Sequence, residues 1–521
     1  MSKKLALVVV DAMHPEMLRR AIDAGRAPTF AALADRGELL DDCVSSFPSV
    51  TPVASSEMLT GTGPAGHWVI GMNWFHRVER RYIEYGSSFE ATRTFGLFRA
   101  MYDLVYNMNL DHLSWETPTV FEKLGDAGVR TATTPFLIYR GRSRHELSIE
   151  GLAKRAAAAA SFRHAVYGPD DFFYGDLYAS RATKCVSNLG RPGTRDEYAA
   201  CVGAELVRDG SYELLLLALP DNDFHSHRHG PEAQVDSISR ADEAFATVVE
   251  AGGGLDAFLK HHGVVLTADH AQTPVEHGLA LADELASDWK VLEPNALEPE
   301  EAEIAVSPTS RAGAVYILDP GPGHPATHER VRERLRGMSG VDLIAWLADS
   351  GGAPLLREGV GVPEPESLEA VVQRGGRELR FRPGGQLRDV RGAEWEVRGD
   401  PEALAADVTG GRFESGEYPD GLARLWSALT SPHAGDVLIS AAAGHECIDW
   451  GGVSHVGGGS HGALAREDSL GPLLFVGCGP RKPRKNPQWA LRDIAPVILS
   501  HFGVSANGNG LGRRARGVVA A

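Results

Sequence analysis

Several short apolar runs in this chain end in side chains that can bind metal or move protons. Asp11 follows the run at 5–10. Asp221, Asp223, His225, His227 and His229 follow 214–219, and Asp269 with His270 follows 264–267. One Asp after a strand is ordinarily a turn or a helix cap. Carboxylates and imidazoles at three strand ends instead suggest a metal site. A fourth element is Phe47-Pro48-Ser49-Val50-Thr51-Pro52, leading to Thr60-Gly61 and Gly66-His67. It reads as a proline-containing loop that opens a helix at Thr51 or Ser55, which places a hydroxyl at a helix N-terminus. Such a hydroxyl is a weak nucleophile until a base or a metal lowers its pKa. The fifth element, Gly457-Gly458-Gly459-Ser460-His461-Gly462, presents His461 from a glycine-rich loop as a late candidate ligand.

These side chains need elements that bring them together. Apolar strand patterns at 5–10, 129–136, 214–219, 264–267, 437–440 and 473–476 alternate with helical patterns near 15–36, 117–127, 195–208, 232–252 and 491–502. That alternation predicts an α/β fold, a mostly parallel sheet sandwiched by helices. Ligands of such sheets bind at the carboxyl ends of the strands, where the acids and imidazoles lie. The stretch 279–433 differs. It is rich in Gly, Pro, Glu and Arg, notably at 294–303, 351–361 and 375–385, and its strand candidates, such as 378–382, are short and polar. We read it as an inserted cap, with 1–278 and 434–521 as the catalytic core and 75–113 as a smaller insertion.

The 521 residues carry 52 Lys and Arg against 69 Asp and Glu, a formal net charge of −17. A general nucleic-acid backbone binder, which needs a basic face, is thereby disfavoured. An anionic small molecule is not, because bound cations reverse the local field. No apolar run approaches the roughly 18 residues of a membrane span, and the run at 5–10 ends in Asp11, too short for a signal sequence. The expectation is a cytoplasmic protein with no membrane partner. Cys43, Cys185, Cys201, Cys447 and Cys478 are odd in number and widely spaced. No disulfide framework or zinc ribbon is indicated, and a reducing compartment is the simplest reading.

Taken together, the set resembles the alkaline phosphatase superfamily, and within it the nucleotide pyrophosphatase/phosphodiesterase branch. The matching pieces are Val8-Val9-Val10-Asp11, the Phe47–Pro52 loop with Thr60-Gly61 and His67, Asp223 with His227-Arg228-His229-Gly230-Pro231, Thr267-Ala268-Asp269-His270, and Gly459-Ser460-His461-Gly462. They occur in the family's order and span nearly the whole chain. The resemblance implies a site for two zinc ions, one held by Asp11, Thr51, Asp269 and His270, the other by Asp223, His227 and His461. It implies Thr51 as the nucleophile and Asn73 as a hydrogen-bond donor to a phosphate oxygen. Trp68 stands where the family commonly has Gly. Carboxylates with imidazoles suit zinc better than magnesium, and manganese or iron would also be accepted. The implied reaction is cleavage of phosphodiester or pyrophosphate bonds in a small-molecule phosphate ester through a phospho-threonine intermediate.

Other readings compete. The same fold supports phosphomonoesterases and phosphonate hydrolases, which commonly add a cation for the extra charge; Arg77, Arg80 and Arg81 follow Asn73 and are the local candidates. The loop lacks the Cys/Ser-x-Pro-x-Arg pattern of sulfatases, and its Thr disfavours a cofactor-independent phosphoglycerate mutase. A non-catalytic metal-binding protein would be expected to lack a nucleophile or ligand, yet every position is filled. Trp68, Trp74, Phe75 and Tyr139 are candidates for stacking on an aromatic leaving group. Spacing alone leaves Asp221/His225 and Asp223/His227 equivalent, since both pairs are four apart. The family's Gly-Pro ending selects Asp223/His227.

Overall fold

The computed structural model describes residues 3–148, 164–175, 177–186, 195–296, 301–318, 324–348, 368–480 and 488–506. The strand Lys4–Val10 lies inside an eight-stranded sheet ordered Glu38–Val44, Leu470–Val476, His262–Thr267, Lys4–Val10, Leu214–Leu219, Thr131–Thr133, Asp171–Tyr174, Tyr178–Ala179. The strands from His262–Thr267 through Asp171–Tyr174 run parallel, and the edge pairings are antiparallel. Strand alternation explains why Lys4–Val10 reads as a continuous apolar run. Leu5, Leu7 and Val9 enter one core cluster, Ala6, Val8 and Val10 another, so helices must cover both faces. One face is covered by Pro15–Asp23, Pro28–Ala34 and Gln234–Ala251, the other by Thr51–Thr60, Val120–Asp126 and Ile494–His501.

The single helical pattern expected near 15–36 is two helices. They break at Gly25, whose φ of 68° is the left-handed conformation that ends helices, and the second restarts at Pro28. A second sheet of nine strands runs from Ile304–Thr309 to Glu394–Gly399 and Arg412–Ser415. The strand expected in the main sheet near 437–440 belongs here instead. Val437–Ala441 pairs antiparallel with Ala312–Ile317 and Val341–Leu347. All its residues are buried, and a run buried on both faces looks alike in either sheet. The polar candidate at 378–382 extends to Arg377–Arg388, where buried Leu379 and Phe381 alternate with charged residues that form cross-strand ion pairs such as Arg382–Glu396. The expected segment 351–361 lies outside the described residues.

The expectation of unpaired cysteines is corrected by a disulfide between Cys185 and Cys201. Cys201 lies within the helix Arg195–Asp209, and the fold brings Cys185 alongside it, a proximity their spacing could not reveal. Disulfides persist in oxidising environments, so cysteine usage gives no argument for a reducing compartment. No described helix is long and apolar enough to cross a membrane.

Candidate active site

His262–Thr267, Lys4–Val10 and Leu214–Leu219 are adjacent and parallel, with Val9 opposite Thr267 and Val10 opposite Leu219. Their carboxyl ends therefore deliver Asp269, Asp11 and Asp223 to one place. Asp11, Asp269 and His270 offer ligand atoms within 4.8 Å of one another, and so do Asp223, His270 and His461. His270 thus joins two groups. His227 Nε2 lies 3.4 Å from Asp223 Oδ1, and His461 Nε2 lies 3.7 Å from the same oxygen.

The three imidazoles are held alike. Nδ1 of His227 donates to Gly459 O at 2.8 Å, Nδ1 of His270 to Ala271 O at 3.1 Å, and Nδ1 of His461 to Ser49 O at 2.8 Å. A neutral imidazole whose Nδ1 carries the proton presents a bare lone pair at Nε2. All three Nε2 atoms then face carboxylate oxygens, acceptor against acceptor. Burial, and then the neighbouring His270 and His227, push the His461 pKa well below its ordinary value. Burial also lowers that of His227, although Asp223 opposes it. Asp11 moves the other way: burial first, then the charges of Asp269 and Asp223, raise its carboxyl well above the usual range. Its Oδ1 is buried without a hydrogen-bond partner. Buried, mutually repelling acceptors of this kind fit a shared cation, and the N/O donor set fits zinc.

Thr51 begins the helix Thr51–Thr60, and its Oγ1 lies 3.2 Å from His270 Nε2. The loop before it is locked to the glycine-rich loop. Ser49 N–H donates to Gly462 O at 3.3 Å, and Ser49 Oγ donates to Ala463 O at 2.9 Å. That second loop is anchored by a buried ion pair of Arg311 with Asp468. Arg311 N–H donates to His461 O at 2.7 Å, and Asp468 accepts from Ala463 N–H at 2.7 Å. Gly462 is required here: its φ is 119°, and a Cβ would sit 3.0 Å from Arg311 N.

Residues 5–346 match the sequence profile of the type I phosphodiesterase / nucleotide pyrophosphatase family. The chain belongs to that family. No curated protein matches it by sequence. Among solved structures, phosphonoacetate hydrolase from Sinorhizobium meliloti 1021 in complex with phosphonoformate is similar at 16% identity and a TM-score of 0.53, over 97% of this chain and 96% of that one. Murine ectonucleotide pyrophosphatase / phosphodiesterase 5 is similar at 13% identity and a TM-score of 0.54, with the same coverage. At these identities the likeness establishes a shared alkaline phosphatase-like fold.

Within this family member, Asp221 and His225 lie outside the cluster. Asp221 accepts from the backbone N–H groups of Arg195 and Asp196, at 2.8 and 2.9 Å, and so satisfies the N-terminus of the helix Arg195–Asp209. His225 faces Arg240 on the exposed side of Asp221–His229. Asn73 lines a cavity with Phe47 and Pro48 of the loop that precedes Thr51. It is 2% exposed, its amide donates to Pro308 O at 2.5 Å, and its carbonyl accepts from Ser307 Oγ at 2.7 Å. The second sheet thus takes its carbonyl and one of its two amide N–H groups. Trp68 takes a φ of 74°, the conformation a glycine would adopt freely, which explains the family's preference there. His67 is fully buried, with Nδ1 accepting from Val69 N–H at 3.2 Å, and burial pushes its pKa down to about 3.

Two of the three candidate cations are engaged in ion pairs. Arg77 pairs with Asp436 at 2.9 Å and Arg81 binds Asp103 through both terminal nitrogens, while Arg80 is exposed. Trp74, Phe75 and Tyr139 are packed in the core. Sequence reading missed three neighbours of the cluster. Gln272 Nε2 donates to Asp223 Oδ1 at 2.5 Å. His455 stacks 4.0 Å from the His227 ring and donates to Glu446 at 2.8 Å. Gln272 follows a strand end and was accessible to the rule that found His270; His455 and Glu446 carried no such signal.

Proposed function

We propose that the protein is a two-metal hydrolase that cleaves phosphodiester or pyrophosphate bonds of small molecules through a phospho-Thr51 intermediate, with zinc at both positions. One observation carries this reading: buried or half-buried carboxylates and Nε2 lone pairs of Asp11, Asp223, Asp269, His227, His270 and His461 converge beside a hydroxyl at a helix N-terminus. Bound metals would lower the Thr51 hydroxyl pKa and polarise the phosphoryl oxygens. The remaining work falls to the chain. The backbone carbonyls of Gly459, Ala271 and Ser49 fix the imidazole tautomers, so no proton competes for the ligand atoms. Thr51 Oγ attacks phosphorus, and the opposite P–O bond breaks with its electron pair leaving on the departing oxygen. Water then cleaves the P–Oγ bond and restores the hydroxyl. The positive end of the Thr51–Thr60 helix favours the negative charge that gathers beside it. Asn73, whose amide gives one N–H to Pro308 O, would offer its other N–H to a phosphate oxygen.

A phosphonate hydrolase is the second reading, favoured by the similarity to phosphonoacetate hydrolase. The engagement of Arg77 and Arg81 in ion pairs weighs against it, because a dianionic substrate gains from a free cation. Phe224, 37% exposed beside Asp223, is an aromatic that a nucleoside or phenol leaving group could reach. The deciding experiment compares kcat/KM for a mono- and a diester of one phenol, together with phosphonoacetate, before and after chelation. Diester preference that is lost on chelation is the expected result. A clear preference for the monoester or for phosphonoacetate refutes the diesterase reading.

A further inference from the structure

A second group of ligand-type side chains lies apart from the strand ends, in the segment that follows Asn73. Glu79 sits in the turn between the strands Asn73–His76 and Arg81–Glu84, and Asp111 with His112 ends the π-helix Asp103–His112. These three offer ligand atoms within 4.8 Å of one another. The two acids are exposed, and exposed acids alone would signify little; His112 is the informative member. It is 1% exposed, and its Nδ1 is taken by the Tyr85 hydroxyl at 2.7 Å. Its Nε2 is buried with no hydrogen-bond partner. Burial, with the nearby His76 and His433, pushes its pKa down to about 2, so the ring is neutral. A neutral ring has one proton. If Nδ1–H donates to Tyr85, which also accepts from Trp74 Nε1 at 3.4 Å, Nε2 is left a bare, unpartnered lone pair on a ring grouped with two carboxylates. The other tautomer buries an unsatisfied N–H.

The surrounding charges point the same way. Arg81 binds Glu79 at 2.5 Å and Asp103 at 2.7 Å, and His76 Nε2 lies 3.8 Å from Glu79 Oε1. One guanidinium thus serves two carboxylates with a third, Asp111, close by, and the adjacent His76 accepts from Glu79 N–H at Nδ1, at 3.0 Å. Partial burial first, then the Glu79 charge, raises the Asp111 carboxyl.

We infer that Glu79, Asp111 and His112 bind a divalent transition metal of the zinc type, separate from the strand-end cluster, which clamps the hairpin to the π-helix. One imidazole with two carboxylates suits zinc better than calcium or magnesium, and the Tyr85 hydroxyl behind Nδ1 supplies the outer-shell partner that fixes such a ligand. Three protein ligands leave a position for water.

The test uses the full chain with its strand-end cluster disabled by Asp11→Asn and Asp223→Asn. After stripping and dialysis against Zn²⁺, this protein is expected to keep one equivalent of metal through Glu79, Asp111 and His112, measured by elemental analysis. Adding Asp111→Asn and Glu79→Gln, both exposed and so harmless to folding, should remove that equivalent. His112→Gln should do the same and is checked by its melting curve. A stripped protein that takes up no metal overturns the inference, as does an equivalent that persists in the Asp111→Asn/Glu79→Gln variant. Failure of the proposed hydrolase reaction would leave these outcomes unchanged.

Discussion

Gly458→Ala should disable the site without touching a ligand. A Cβ built at Gly458 would lie 1.9 Å from His227 O, 2.9 Å from His227 C and 3.3 Å from His455 O. Real Cβ contacts are not found under 3.0 Å, so His227 and the glycine loop must separate by more than 1 Å. No rotamer can relieve this, because the contacts are backbone. The loop is held on its other side, with Gly458 N–H donating to His455 O at 2.8 Å and Gly458 O accepting from Val275 N–H at 3.0 Å. Movement therefore falls on His227, whose Nδ1 depends on Gly459 O, and on His461, two residues further along. Catalytic groups tolerate about 0.5 Å of displacement, and a 1 Å error costs on the order of 10²-fold, about 2.7 kcal/mol of transition-state stabilisation. The assay is kcat/KM on a diester with metal content measured in parallel. Gly416→Ala, where a Cβ meets nothing within 4 Å, is the control and should be neutral. A Gly458→Ala protein with wild-type activity and metal content would refute the packing of the glycine loop on His227.

Thr51→Ala should lower turnover by on the order of 10⁴–10⁶-fold, as loss of a nucleophile does. Ser49→Ala, which removes only the 2.9 Å bond to Ala463 O, should cost about 1 kcal/mol of stability, and comparable rate losses for both would redirect the nucleophile assignment. His227→Ala should lose bound metal by elemental analysis, whereas His225→Ala, an exposed change beside Arg240, should keep it; the reverse would reassign the ligands. Asp196→Asn tests a pH effect in the metal-free protein. Burial, and next the Asp221 charge, raise the Asp196 carboxyl from 3.8 to about 8 in the fold. The unfolded chain then releases this proton first. Its contribution to stability is complete below pH 3.8 and declines by about 1.4 kcal/mol per pH unit until pH 8, then levels. Urea unfolding of wild type and Asp196→Asn across that window should diverge with this slope, and parallel curves would refute it.

The sequence alone determined the α/β class and the position of its chemistry. Continuous apolar runs such as 214–219 have no solvent face to mark with polar residues, so they specify strands covered on both sides. An Asp or His placed just past such a run must emerge at a carboxyl end, which is why Asp11, Asp223, Asp269 and His270 were legible before any coordinates. Spacing alone left Asp221 and Asp223 equivalent, and the Gly-Pro ending favoured Asp223; what occupies Asp221 is visible only in the fold. Both follow the same strand, and only the helix Arg195–Asp209, arriving with its N-terminus at Asp221, takes that carboxylate for its own backbone. The partners that hold Asn73, Ser307 and Pro308, likewise come from a sheet more than 200 residues away in the chain. The disulfide, the membership of Val437–Ala441 in the second sheet and the His455–Glu446 pair beside His227 share that cause. Each depends on which distant surface a segment meets. Local spacing encodes what a residue can do, and long-range packing decides which of several equivalent residues does it.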